Sequence, residues 1–247
     1  MQTIMIHHIH GGNYPEVKGS ISLEQLEKAV QSDCLLTFDD GLACQELAFP
    51  LLQKYGKRAI FSINNINIME AHKQVMEALG GMFYQTFWKY VANTAFIVPK
   101  EFLAEYSFYT QEDRKYRYYR DFVDTKRHDE IMLGLAGNFN IDRNKLFIDP
   151  QKIVDNGQII GLHSYSHPRR MDLLKPHEQF DEWLSNIGMV RKYQREVLYA
   201  VHPMGRYTEV TKEILSLIGI MDAFTTSENS HGFLESPRID IKEWLKK

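Results

Sequence analysis

Short apolar runs, several of them stopping at a cluster of histidine, aspartate or glycine, constrain the fold of this chain more than any other feature. The first run, 3–6, ends in His7, His8 and His10 with the turn pair Gly11-Gly12, and the second, 34–38, stops at Asp39-Asp40-Gly41. Further runs at 59–63, 159–162, 197–201 and 223–226 have the length of buried strands rather than of helices. Between them the apolar residues recur at helical spacing. Ser22 with Gln25 forms a capping box that opens one helix over Leu23, Leu26 and Val30. Segment 42–55 reads as a helix closed by Gly56, and 176–195 and 208–217 read as two more. Strands alternating with helices predict an α/β chain built on a parallel sheet or a barrel.

That rhythm breaks between about 64 and 150, a stretch rich in aromatic residues and mixed charge, which predicts a helical insertion. Phe83, Phe87 and Tyr90 fall at helical spacing, so they are expected in a helix core rather than on a sugar-stacking platform. Residues 114–120 are expected on a solvated helix face, with a phosphate contact as the alternative. A chain of 247 residues, 44% hydrophobic, can bury a substantial core, and we read 1–247 as a single domain carrying the insertion. The net charge of −3 and the lack of any basic block give no electrostatic case for nucleic acid or an anionic membrane. Cys34 and Cys44 form neither a disulfide nor a zinc pattern and are expected as reduced thiols. No stretch reaches the roughly 18 apolar residues of a membrane span. The start lacks the basic, apolar and small-residue regions of a secretory signal, so a cytoplasmic location is the expectation. Nothing in the sequence speaks to oligomeric state.

In parallel α/β folds, reactive groups collect beyond the carboxyl ends of the strands. Four polar clusters fall there: His7 to His10, Asp39-Asp40, His163 to His167, and His202-Pro203-Met204-Gly205. Asp-Gly is a common turn pair, which is one reading of Asp39-Asp40-Gly41. The chemical reading is that adjacent carboxylates leave a strand end in different directions, so one can bind a metal while the other accepts a proton from water. In His163-Ser164-Tyr165-Ser166-His167 the two imidazoles are four residues apart, and one helical turn brings them to the same side. Ser164 and Pro168 set this segment apart from the zinc-protease motif. Taken with one aspartate, the two histidines make a three-ligand site with open positions, as in catalytic zinc centres. Iron, cobalt and nickel suit the same donors.

Thr37-Phe38-Asp39-Asp40-Gly41 and His163-Ser164-Tyr165-Ser166-His167 resemble the first two motifs of the polysaccharide deacetylases, over a span from about residue 3 to 240 without the insertion. The resemblance implies a distorted (β/α) barrel and a divalent metal, zinc by preference, held by Asp40, His163 and His167. It implies Asp39 as general base and an N-acetylated sugar as substrate; with the cytoplasmic location expected above, a nucleotide- or lipid-linked sugar of surface-glycan biosynthesis is the expectation. The third motif departs from the family pattern. Val201 stands where an arginine that steadies the base is expected, and Arg206 or His202 is the candidate replacement. The turn Pro203-Met204-Gly205 keeps its form, and the Met204 backbone N–H is the expected oxyanion donor. For the general acid, His231 is one candidate and His10 the other, with one of His7, His8 and His10 expected to line the site. Another amide hydrolase on this scaffold, or an inactive sugar-binding protein, is the rival reading.

Overall fold

The computed structural model describes residues 2–17, 19–65, 75–76, 78–92, 94–105, 109–139, 146–226, 230 and 232–246. The chain divides into two compact units, one of Met1–Ile66 with Arg143–Lys247 and one of Asn67–Asp142.

Among the described residues, the first unit is built on ten strands. They are β1 (Thr3–Ile6), β2 (Ile9–His10), β3 (Ile21–Ser22), β4 (Leu35–Phe38), β5 (Ile60–Ile63), β6 (Ile159–Leu162), β7 (Tyr199–Val201), β8 (Asp222–Thr225), β9 (Ser236–Pro237) and β10 (Ile239–Asp240). Eight of them form one sheet in the order β10-β1-β4-β5-β6-β7-β8-β9, parallel throughout, and β2 pairs with β3 apart from it. Strands β9 and β10 sit on opposite edges of this sheet, yet only Arg238 separates them in sequence. The sheet must therefore curl until its edges meet. The result is a nearly closed barrel whose last gap is bridged by covalent chain rather than by a hydrogen-bonded ladder.

Period-two alternation divides each strand between two apolar layers. Ile60, Val201 and Phe224 pack in one cluster, while their sequence neighbours Phe61, Ala200 and Ala223 join the larger cluster with Trp183, Ile187 and Leu215 from the helices. Both faces are thus buried, which is why these strands read as continuous apolar runs. Phe38 and Phe61 stack across β4 and β5 with ring centroids 4.4 Å apart.

The helices follow the expected order with altered ends. Segment 42–55 becomes a 3-10 turn, Ala43–Ala48, followed by a helix at Phe49–Lys54. Pro50 is the reason, since a residue without an N–H is tolerated only in a first helical turn. Helix Pro176–Val190 stops five residues short of the expected end. Gln194 instead spends its side chain on the backbone of Ile160 in β6, accepting at 2.9 Å and donating at 3.2 Å. Helix Glu209–Leu217 is capped by Thr208.

The second unit contains helices Phe83–Trp88, Lys100–Glu105, Gln111–Tyr118 and Thr125–Ala136. Phe83, Phe87, Tyr116, Tyr119 and Met132 form its core. Two expectations fail here. The first helix ends at Trp88 and leaves Tyr90 exposed, and Arg120 is buried in a bidentate pair with Asp121 instead of being solvated. Among the described residues no helix is long and apolar enough to cross a membrane.

Candidate active site

Strand β4 runs out at Phe38, and the chain turns sharply through Asp39, Asp40 and Gly41. Asp40 adopts φ 71° and Gly41 φ 60°. A Cβ on Gly41 would meet the Ile63 side chain at 3.0 Å, so glycine is needed both for the angle and for the space. Two strands along the sheet, β6 delivers His163, and the following loop turns back through Ser164 (φ 55°) to His167 (φ 54°). Left-handed backbone at a non-glycine residue costs on the order of 1–3 kcal/mol and persists only where the surroundings enforce it. Of the five such residues among those described, Asp40, Ser164, His167 and Met204 lie in the segments that the sequence marks for chemistry, and Leu234 is the fifth.

This backbone brings one carboxylate and two imidazoles together. Asp40 Oδ1 lies 3.5 Å from His163 Nε2 and 3.6 Å from His167 Nε2, and one donor atom from each of the three residues falls within 4.8 Å of the others. All three side chains are buried. Ligands held about 2.0–2.1 Å from a tetrahedral ion stand roughly 3.3–3.4 Å from one another, so the spacing suits a common cation. His163 Nδ1 donates to the Val201 carbonyl at 3.1 Å, which leaves the Nε2 lone pair directed at the cluster. Burial pushes the His163 ring towards the neutral form, but Asp40 and Asp39 outweigh it and hold its pKa up. For His167, burial with His163 alongside pushes the pKa down to about 3.

Asp39, next to the cluster in sequence, is held by a different partner. Arg238 Nη1 and Nη2 donate to its two oxygens at 2.8 and 2.9 Å, and Nη1 also donates to Thr37 Oγ1 at 3.0 Å. Both members of this pair are almost fully buried. Burial alone would raise the Asp39 carboxyl; Arg238, with His163 and His7 behind it, reverses that and keeps it below the ordinary carboxylate value. Asp39 is therefore ionised at neutral pH. Gln45 adds a clamp that no sequence signal announced, its Nε2 donating to the carbonyls of Asp39 at 2.6 Å and His7 at 3.0 Å.

The expectations for the missing arginine are corrected here. His202 is buried and donates through Nε2 to the Leu234 carbonyl at 2.8 Å, and the guanidinium bonded to both oxygens of Asp39 is that of Arg238, from outside the third motif, rather than of Arg206. Gly205 spends its N–H on the His202 carbonyl, so it is not a free oxyanion donor. Of the early histidines it is His7 whose Nε2 lies 3.8 Å from Asp39, whereas His10 is hydrogen-bonded to Ser20 at 2.8 Å. His231 lies outside the described residues.

The sequence matches no protein-family profile and no curated protein. Solved structures do match. The Streptococcus pyogenes deacetylase PplD, solved with acetate, superposes with a TM-score of 0.54 at 15% identity over all of this chain and 96% of its own. A Bacillus cereus polysaccharide deacetylase gives 0.56 at 12% identity, over 99% of this chain and 67% of its own. A de-N-acetylase from Aggregatibacter actinomycetemcomitans gives 0.53 at 12%, over 98% and 95%. The fold is that of the polysaccharide deacetylases. Within this deacetylase fold, the carboxyl ends of β4 and β6 carry the Asp-His-His cluster, and the seam between β9 and β10 carries the arginine on Asp39.

Proposed function

We propose that the chain is a metal-dependent N-deacetylase that hydrolyses the acetamide of an N-acetylated sugar. The observation that carries this reading is the pairing of a buried Asp40-His163-His167 cluster with an adjacent carboxylate, Asp39, kept ionised by Arg238. A binding site alone has no use for a second acid held in that state. A divalent cation, zinc by preference, bound by Asp40, His163 and His167 would supply Lewis acidity, bringing the pKa of a coordinated water from 15.7 to about 7.

Asp39, held in one orientation by the two bonds from Arg238, accepts the proton of the attacking water. Met204, at φ 54° in the turn after β7, offers its backbone N–H to the oxyanion that develops on the acetamide carbonyl. We assign the proton for the departing amine to His231, because His10 is engaged by Ser20 and His7 lies against the base itself. Acetate and a free amino sugar result. A sugar carried on a nucleotide or lipid is the finer form of the same reading.

The test combines metal analysis with acetate release from free, nucleotide-linked and lipid-linked N-acetyl sugars. About one divalent metal per chain is expected, lost in Asp40→Ala and His163→Ala together with activity. Asp39→Asn should keep the metal and lose about 10²–10⁴-fold in kcat, the range for a general base. Metal uptake without acetate release, but with hydrolysis of formamides or cyclic amides, would redirect the assignment to another amide hydrolase.

A further inference from the structure

The two histidines of the cluster are not supported alike. His163 has its Nδ1 on the Val201 carbonyl, the usual device by which a ligating ring is oriented. The Nδ1 of His167 is buried and has no hydrogen-bond partner among the described residues. Its ring direction must therefore come from its backbone, and that backbone lies in the left-handed region at φ 54°, with Ser164 also left-handed three residues earlier. Something must enforce this loop.

Helix Pro176–Val190 does so with two side chains one turn apart. Asn186, fully buried, accepts from the His163 N–H at 2.9 Å and donates to the Ile63 carbonyl at 3.1 Å, tying the ends of β5 and β6 together. Glu182 receives both the N–H of Ser166, at 2.8 Å, and its hydroxyl, at 2.5 Å. Ser166 immediately precedes His167. A carboxylate accepting two bonds from one residue fixes both the Tyr165–Ser166 peptide and the Ser166 side chain, and so sets the residue from which the chain enters His167, indirectly as a partner on Nδ1 would set the ring directly.

We infer that Glu182 is the positioning residue for His167, acting through Ser166 in place of a hydrogen-bond partner on the His167 ring. The inference rests on the metal reading above and concerns the geometry of the site rather than its charge. A glutamine at 182 can keep both contacts, accepting from the N–H and donating to a reoriented serine hydroxyl, whereas leucine of similar volume keeps neither.

The experiment is a Zn²⁺ titration of the full chain in competition with a chromophoric chelator, with thermal unfolding of each metal-free variant alongside. Glu182→Leu should weaken zinc binding by about 10–100-fold, the usual cost of losing an outer-shell partner, while Glu182→Gln stays within a few-fold of the unsubstituted protein. Ser166→Ala deletes the hydroxyl contact alone and leaves the helix untouched, so it should fall between the two. Combined with Glu182→Leu it should add nothing further, because both changes remove the same contact. A Glu182→Leu protein that loses thermal stability but binds zinc as before overturns the inference, as does an equal loss in the glutamine and leucine variants. Should Glu182→Leu not fold, unchanged zinc affinity in Ser166→Ala decides against it. Failure of the unsubstituted protein to bind zinc would instead bring down the metal reading, and this inference with it.

Discussion

Arg238 and Asp39 form an ion pair with almost no solvent contact, and such pairs are costly to break from one side. Removing one member leaves an uncompensated buried charge, at a cost of about 3–5 kcal/mol. Arg238→Leu should therefore lower the denaturant midpoint sharply without changing the slope, whereas Arg238→Lys keeps a charge and loses the two-pronged contact. In the lysine variant the carboxyl is held down less firmly. Since the ionised form of Asp39 is the base, the acid limb of the pH–rate profile should move to higher pH; an unmoved limb would argue that Arg238 does not set the state of Asp39. His202 makes a separate prediction. Burial pushes its pKa down to about 4, helped by Arg238 nearby, and among the described residues its Nδ1 has no acceptor for a second proton. A depressed histidine pKa means that the unfolded chain binds the proton first, so stability is full above about pH 6.5 and falls as pH drops towards 4. The loss should approach about 3 kcal/mol over that window, and His202→Gln should flatten it in urea melts run from pH 7 to 4.

The elements explain what could be read from the sequence and what could not. Strands β4, β5 and β6 announce themselves because both faces are buried, so Leu35–Phe38, Ile60–Ile63 and Ile159–Leu162 are mostly apolar runs, broken only by the small residues Thr37, Ser62 and Gly161. Their ends are equally plain, since a polar cluster after such a run has to leave the sheet. That is how Asp40, His163 and His167 could be brought to one place without a structure. Strands β9 and β10 carry no such mark. Each has two residues, one is half proline, and Pro237 belongs on an edge, so the segment reads as a turn. Arg238 is hidden with them, so only residues of the third motif stand out as partners for the base. Glu182 and Asn186 are invisible for another reason: on an amphipathic helix, polar residues are expected outside, and only the loop they meet turns them inward. The left-handed residues Asp40 and His167 could not be read either, because turn propensity does not tell a strained aspartate from an ordinary one.

For the whole molecule, the cluster lies where two non-adjacent strands of the barrel end. Asp40 follows β4 and the two histidines follow β6, with β5 between them, and residues 64–158 separate β5 from β6 in the chain. Strand β5 pairs with both neighbours, but the barrel is open to its last hydrogen bond at the seam of β9 and β10. A cation held by Asp40, His163 and His167 would add a cross-strand tie at the carboxyl mouth that exists only in the folded state, because β4 and β6, the two strands it links, are far apart in sequence. Mass action then gives the size of its contribution. Free metal at about 100 times Kd adds about 2.7 kcal/mol, which for chains of about 150–250 residues corresponds to roughly 5–10 °C in Tm. Stripping with a chelator should lower the melting temperature by that amount, and zinc should restore it. In Asp40→Ala the chelator should have no effect at all, since the shared ligand is gone. The increment should also grow with metal concentration, as binding to the native state requires. A melting temperature indifferent to chelator in the unsubstituted protein would mean that the three donors converge for structural reasons alone, and the barrel's mouth would then owe its shape to Arg238, Gln45 and Glu182 without any ion.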